Sequence, residues 1–292
     1  MTEFNRGISI IAVSFFISFF LSSANISAQT FKIAVLPVGE TERKFYERFR
    51  AETGKQGFVR LIDDDLSLSA MRALNYKTPF NLSLEEAKNL GAAIDCDFFF
   101  LVKSDSVRRS SFRKDVYFES FANIFLVSAR TGKLVASENI FEEADKPEDA
   151  EKQLLGKADK IAADFAAIIQ TAAAREREER AFPKKNSIFL EISAENENIR
   201  TPLPYKSLKP AYTDAAAHFE VEAAVEVAVE LNASGAVENA EIVRWAGFGL
   251  DEETIKTVKK MQFRPALRGD GTAIPVRFVL RYNFRRPREK KE

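Results

Sequence analysis

The chain is 292 residues long and carries 43 basic and 43 acidic side chains, so no overall field draws it to nucleic acid or to an acidic partner. Its single cysteine, Cys96, excludes an internal disulfide, while 26 phenylalanines supply enough aromatic area to fill more than one core. The length suits two ordinary domains, each expected to bury a core of its own.

Residues 1–28 read as an export signal. Arg6 supplies a positive n-region, Ile8 to Leu21 is an apolar and Ser run, and Ile26-Ser27-Ala28 before Gln29 has the form of a cleavage site. The run is about 14 residues, short of the ~20 that span a bilayer; extended from Gly7 to Ala24 it reaches about 18, which leaves an uncleaved inner-membrane anchor open. No Cys follows the segment, which argues against a lipid anchor.

From Phe31 to about Ala174 the pattern predicts an α/β layer. Phe31 to Val38 is an apolar run containing Pro37, as in a strand buried on both faces. Glu42 to Glu52 sets Phe45, Tyr46 and Phe49 at helical spacing, Gly54 and Gly57 close it, and Phe58 to Ile62 restarts a strand. Ser83 before Leu84-Glu85-Glu86 is a Ser-x-x-Glu helix start; that helix is expected to end near Gly91, with a buried strand over Cys96–Lys103. Lys114–Val127 and Leu134–Phe141 form a hairpin about Thr131-Gly132, and Glu148 to about Arg180 reads as one long helix. The order β-α-β-α-β-β-β-α implies a mixed sheet with helices layered on it.

Chemistry is sparse in this half. Asp63-Asp64-Asp65 lacks the further oxygen ligands a hard cation needs and reads as a loop with a helix N-cap. Ser110-Ser111 has no nearby base, and Arg108, Arg109, Arg113 and Lys114 form a basic loop cluster. Neither here nor later is there a metal-ligand spacing, a nucleophile–base pair or a phosphate-cradling glycine loop, so the expectation is a non-enzyme without cofactor or metal.

Residues 175–208 make a junction: the charged run Arg175–Arg180 extends the helix, Pro183 breaks it, Ser187–Ile192 is a candidate extra strand, and Pro202, Pro204 and Pro210 mark an extended connector. Beyond it, Phe219 to Leu231 alternates Val with Glu almost without fault, so one face meets a core and the other water. Asn232-Ala233-Ser234-Gly235 suits a short turn, Ala236–Trp245 is a second strand with an expected bulge, and Asp251 is placed to cap a helix whose inner face carries Leu250, Thr254, Ile255, Val258 and Met261. Pro265 stops that helix, Phe263 anchors its exit, and Ile274–Phe284 is a last strand with Val276, Phe278, Leu280, Tyr282 and Phe284 on one face. His218, the only histidine, falls at a helix-to-strand junction, and the tail 285–292 has too few apolar residues to fold.

These motifs, in this order, resemble the TonB C-terminal domain family over about residues 209–284. They are Pro210-Ala211-Tyr212, Ala215-Ala216, the alternating Val strand, Ser234-Gly235-Ala236-Val237, Leu250-Asp251-Glu252, Phe263-Arg264-Pro265-Ala266 and Pro275-Val276. Thr213 replaces the second Pro of the usual opening and Ala223 a common Gly. Residues 31–174 resemble more loosely the periplasmic α/β domain of curli secretion channels and the N-terminal domain of TolB, through Ile33-Ala34-Val35-Leu36-Pro37, Leu90-Gly91-Ala92 and Ala129-Arg130-Thr131-Gly132-Lys133. The fold expected is therefore α+β, an α/β layered domain followed by a ββαβ TonB-like domain.

The resemblance implies a periplasmic protein that grips an extended segment of an outer-membrane transporter by strand addition beside the last strand, in TonB-dependent transport. The residues it implicates are Val276, Arg277, Phe278, Val279, Leu280, Arg281 and Tyr282, with Gly235, Leu250, Asp251, Phe263 and Pro265 as structural motif. A full energy transducer also needs a membrane helix bearing a Ser and a His, and a long spacer; this chain departs on both. The alternative is a non-energised envelope scaffold that binds peptidoglycan or another periplasmic protein. No nucleic acid is expected as partner, and a homodimer stays open.

Overall fold

The computed structural model describes residues 29–39, 43–111, 114–182, 189–192 and 198–286. The expectations for the leader 1–28, Pro183, Arg113 and the tail beyond residue 286 fall outside the described residues.

The N-terminal half runs β1 (Phe31–Pro37), α1 (Arg43–Gly54), β2 (Val59–Leu61), α2 (Asp64–Leu74), α3 (Leu84–Ile94), β3 (Phe98–Arg109), β4 (Tyr117–Ser128), β5 (Leu134–Ala144), α4 (Pro147–Leu155) and α5 (Ala158–Ala181). Its sheet has the order β2-β1-β3-β4-β5, parallel about β1 and antiparallel from β3 onward. The unbroken apolar runs of β1 and β3 follow from burial on both faces. On one face α1 and α5 press Phe49 and Phe165 edge-on against Phe100, with ring centroids 5.1 and 5.2 Å away.

Local chemistry sets the helix ends. The Asp63 carboxylate accepts from the amides of Asp65 and Leu66, so the acidic triplet starts α2. Ser83 and Glu86 form a reciprocal capping box on α3, which continues to Ile94 rather than stopping at Gly91 because Asp95 supplies the left-handed cap. The long helix expected over 148–180 is two helices broken at Gly156, with α4 lying along β4 and β5 and α5 along α1.

The C-terminal half adds β6 (Leu190–Glu191), β7 (Ile199–Arg200), β8 (Leu203–Pro204), α6 (Asp214–His218), β9 (Ala223–Leu231), β10 (Val237–Arg244), α7 (Leu250–Val258), β11 (Phe263–Arg264), β12 (Ala266–Arg268), β13 (Ala273–Ile274) and β14 (Val276–Phe284). A four-stranded sheet of order β10-β9-β14-β6 carries α7 on its core face, which is the ββαβ frame plus one strand. Register shifts between Val237 and Asn239 and between Ile242 and Arg244 are the irregularities expected of β10. The last strand is interrupted at Pro275, which has no amide for the ladder, so β13 pairs with β12 and only β14 joins the main sheet.

The second face of the N-terminal sheet is covered in part by the C-terminal half. Phe99, Leu101, Phe125 and Val127 belong to one hydrophobic cluster with Val225, Val227, Trp245, Phe248 and Leu250. Phe125 lies 5.9 Å from Trp245 and 5.4 Å from Phe248. Two separate cores are the expectation from the sequence; instead one of the two clusters is common to both halves, with Phe99 and Phe125 in the same cluster as the Val face of β9.

Polar groups seal this junction. The Asn81 amide nitrogen donates to the carbonyls of Ala224 and Trp245, both at 2.7 Å, and its oxygen accepts from the Ala224 amide at 3.0 Å. Asn81 thus acts as a strand partner for β9 where β10 has ended. On β4, fully buried Glu119 accepts from Arg109 at 2.8 Å, and His218 Nε2 at the end of α6 lies 3.0 Å from its other oxygen. Arg109 of the basic cluster is therefore committed to an internal ion pair.

Candidate docking edge

Each residue expected to bind a partner lies on β14. Val276, Phe278, Leu280 and Tyr282 face the core, and Phe263 meets Phe278 edge-on at 5.6 Å. Arg277, Val279 and Arg281 alternate onto the open face, where Val279 is 57% exposed. Arg277 is bound to Glu230 at 2.8 Å and lies 3.3 Å from Glu191, while Arg281 pairs with Glu226 at 2.8 Å. These cross-strand pairs tie β14 to β9.

The backbone edge is shorter than the sequence suggests. Leu190 and Ile192 donate to the carbonyls of Pro275 and Arg277, so β6, from the candidate strand Ser187–Ile192, occupies the start of the rail in parallel register. The same bonds fix which way the later groups point. Because backbone groups alternate sides along a strand, the N–H and C=O of Val279, Arg281 and Asn283 share the Arg277 edge, and no described segment pairs with them. Val276, Phe278, Leu280 and Tyr282 spend their backbone groups on β9. The sequence-predicted set thus divides into three roles: an occupied stretch, an open stretch, and core residues whose backbones belong to β9.

The motif residues hold the frame around this edge. Gly235 has φ +83°, and a Cβ there would meet the Phe263 carbonyl oxygen at 2.0 Å, so the turn lies directly on the helix exit. Leu250 and Phe263 are buried, and Pro265 separates β11 from β12. Asp251 is not the cap of α7; Gly249 holds that position. Asp251 instead turns back to accept from the amides of Ala246 and Gly247 at 2.9 Å each. Burial pushes its carboxyl up to about 7, against the pull of these two donors. Burial likewise raises the Tyr282 hydroxyl, which lies 3.3 Å from Met261 Sδ, and pushes the half-buried Cys96 thiol up to about 12.

Sequence reasoning passed over Asn81 and Trp245, which join the halves. An Asn between Phe80 and Leu82 carries no periodic signal, and the only Trp, whose indole is fully buried, falls at a strand end in the sequence pattern. Among the described residues no group of three or more His, Cys, Asp and Glu is placed to hold a metal, and no helix is long and apolar enough to cross a membrane.

The C-terminal half is thus a four-stranded sheet backed by one helix, with an open stretch on its last strand. Residues 209–285 match the family model described as Gram-negative bacterial TonB protein C-terminal, so the chain carries a domain of that family. No curated protein matches the chain. Among solved structures, the TonB C-terminal domain of Pseudomonas aeruginosa is 16% identical, and the likeness covers 36% of this chain and 100% of that one at a TM-score of 0.27. Lipoprotein GNA1162 from Neisseria meningitidis is 14% identical over 49% of this chain and 98% of that one, with a TM-score of 0.31. The LpoB C-terminal domain from Salmonella enterica is 12% identical over 39% and 82%, with a TM-score of 0.27.

Proposed function

We propose that this is a periplasmic cell-envelope protein that binds an extended segment of an outer-membrane transporter by adding it as a strand beside Val279–Asn283. The observation that carries the reading is the row of backbone groups on Val279, Arg281 and Asn283, open in a domain of the TonB C-terminal family. Strand addition takes its affinity from such groups and its selectivity from the side chains that flank them. The role is binding without catalysis.

Whether the grip transmits force is a separate matter. A second reading, a non-energised scaffold that binds peptidoglycan or another periplasmic protein, is favoured by the shared cluster, which presses the TonB-like domain against a second folded layer where a transducer carries a spacer.

The test uses the full chain and a synthetic peptide of a transporter's Ton-box segment. Val279→Pro removes an outward amide and leaves the ladder to β9 whole, so binding is expected to weaken at least tenfold with the melting temperature little changed. Equal affinity in wild type and variant rules out this edge.

A further inference from the structure

The N-terminal sheet ends on its own unpaired edge. Strand β5 bonds only to β4, and no described segment lies along its other side. The Ser128 amide donates toward β5 and the Ala129 amide toward β3, so the even-numbered residues of β4 serve β5. With Leu126 opposite Ala136 and Ile124 opposite Glu138, the backbone groups of Ser137, Asn139 and Phe141 point outward.

This edge has a groove on each face. Toward the helices, a groove of about 390 Å³ runs between Leu134 and Val135 on one side and Ile168 and Ala172 on the other. Toward the C-terminal half, one of about 690 Å³ runs between Ala136 and Ser137 and the side chains of Ile242 and Ile255. A strand laid beside β5 sends alternate side chains into the two grooves. The grooves differ in charge. On the helix side the charged lining residues Lys133, Arg175, Glu176 and Glu179 are all ion-paired, and Leu134, Val135, Ala167, Ile168 and Ala172 make an apolar wall between them. The other groove takes Lys256 from α7 and Lys259 and Lys260 from just past its end, with Glu241, Asp251 and Glu252 on the same lining. Lys133 pairs with Glu241 and Lys256 with Glu253, whereas Lys259 and Lys260 have no ion-pair partner among the described residues, which leaves an excess of positive charge there.

We propose that the free edge of β5 is a second strand-addition rail, which takes an extended peptide segment presenting acidic side chains on one face and apolar ones on the other. The acidic face meets Lys259 and Lys260 and the apolar face meets Val135 and Ile168. The protein then holds two extended segments, one per sheet.

The probe is a phage-displayed library of random decapeptides selected on the full chain, with the recovered peptides measured by fluorescence anisotropy. Selected sequences are expected to alternate acidic and apolar residues. Ser137→Pro, which removes an outward amide, and separately the surface pair Lys259→Glu/Lys260→Glu should each weaken binding tenfold or more. Val279→Pro should change it less than twofold. The lysine pair tests the rail even if Ser137→Pro fails to fold. Recovery of no such peptides, binding indifferent to the lysine pair, or binding lost only in Val279→Pro overturns the proposal; the last outcome would return the peptides to β14.

Discussion

The indole nitrogen of Trp245 donates to the carbonyl of Gly132 at 2.9 Å, a buried bond from the end of β10 to the turn between β4 and β5. Gly132 is held there as tightly as Trp245: with φ +71°, a Cβ at this position would lie 2.0 Å from the Leu84 carbonyl oxygen. Trp245→Phe keeps most of the packing and orphans one buried acceptor, at a cost of about 1–3 kcal/mol. Urea unfolding measures it. Because Trp245 is the only tryptophan, its fluorescence should report the same single transition as far-UV circular dichroism. Two separated transitions would mean that the halves unfold independently.

Asn81 offers a second measure of the same junction. Asn81→Ala removes three hydrogen bonds to Ala224 and Trp245 and leaves the Ala224 amide without a partner. A loss of about 2–3 kcal/mol is expected in the same urea experiment, with Asn81→Asp no better because a carboxylate cannot donate to the two carbonyls.

Strand β6 competes with any partner that pairs along the whole of β14. Leu190→Pro/Ile192→Pro removes the two amides that donate to Pro275 and Arg277. Titration calorimetry with the Ton-box peptide should then show a severalfold gain in affinity, as the rail lengthens by Pro275 and Arg277. Unchanged affinity would mean that the peptide never reaches that stretch.

Asp251 gives the fold a pH dependence. Its carboxyl is raised from 3.8 to about 7 in the folded protein, so the folded state holds the proton more firmly than the unfolded chain. The stability this contributes is fully present below pH ~4 and is lost as pH rises through about 7. Denaturant midpoints between pH 5 and 8 should fall with pH in the wild type, and Asp251→Asn should flatten that slope.

Much of the frame was legible because each element has a local cause. The Ser83–Glu86 box, the Asp63 cap and the Val alternation of β9 act over a few residues, and each could be read from spacing alone. The split at Gly156 was missed because helical periodicity continues across it, and what separates α4 from α5 is their contact with different strands and helices. At the docking edge, the facing of each β14 side chain followed from period two. The candidate strand Ser187–Ile192 was legible as an occupant of this rail; how far it reaches was not, since a two-residue parallel pairing has no pattern of its own. The shared cluster escaped for a similar reason: a buried Val face says that something covers it, and the identity of the cover, Phe125 with Trp245 and Phe248, is long-range.

That cover decides how the molecule would behave under tension. A pull along β14 passes sideways into β9 through the ladder from Val276 to Phe284, and from β9 through Asn81 into the segment that begins α3. The load on that path is borne in shear by backbone bonds and by one amide side chain, so the Asn81 link sets how much of it reaches the far sheet.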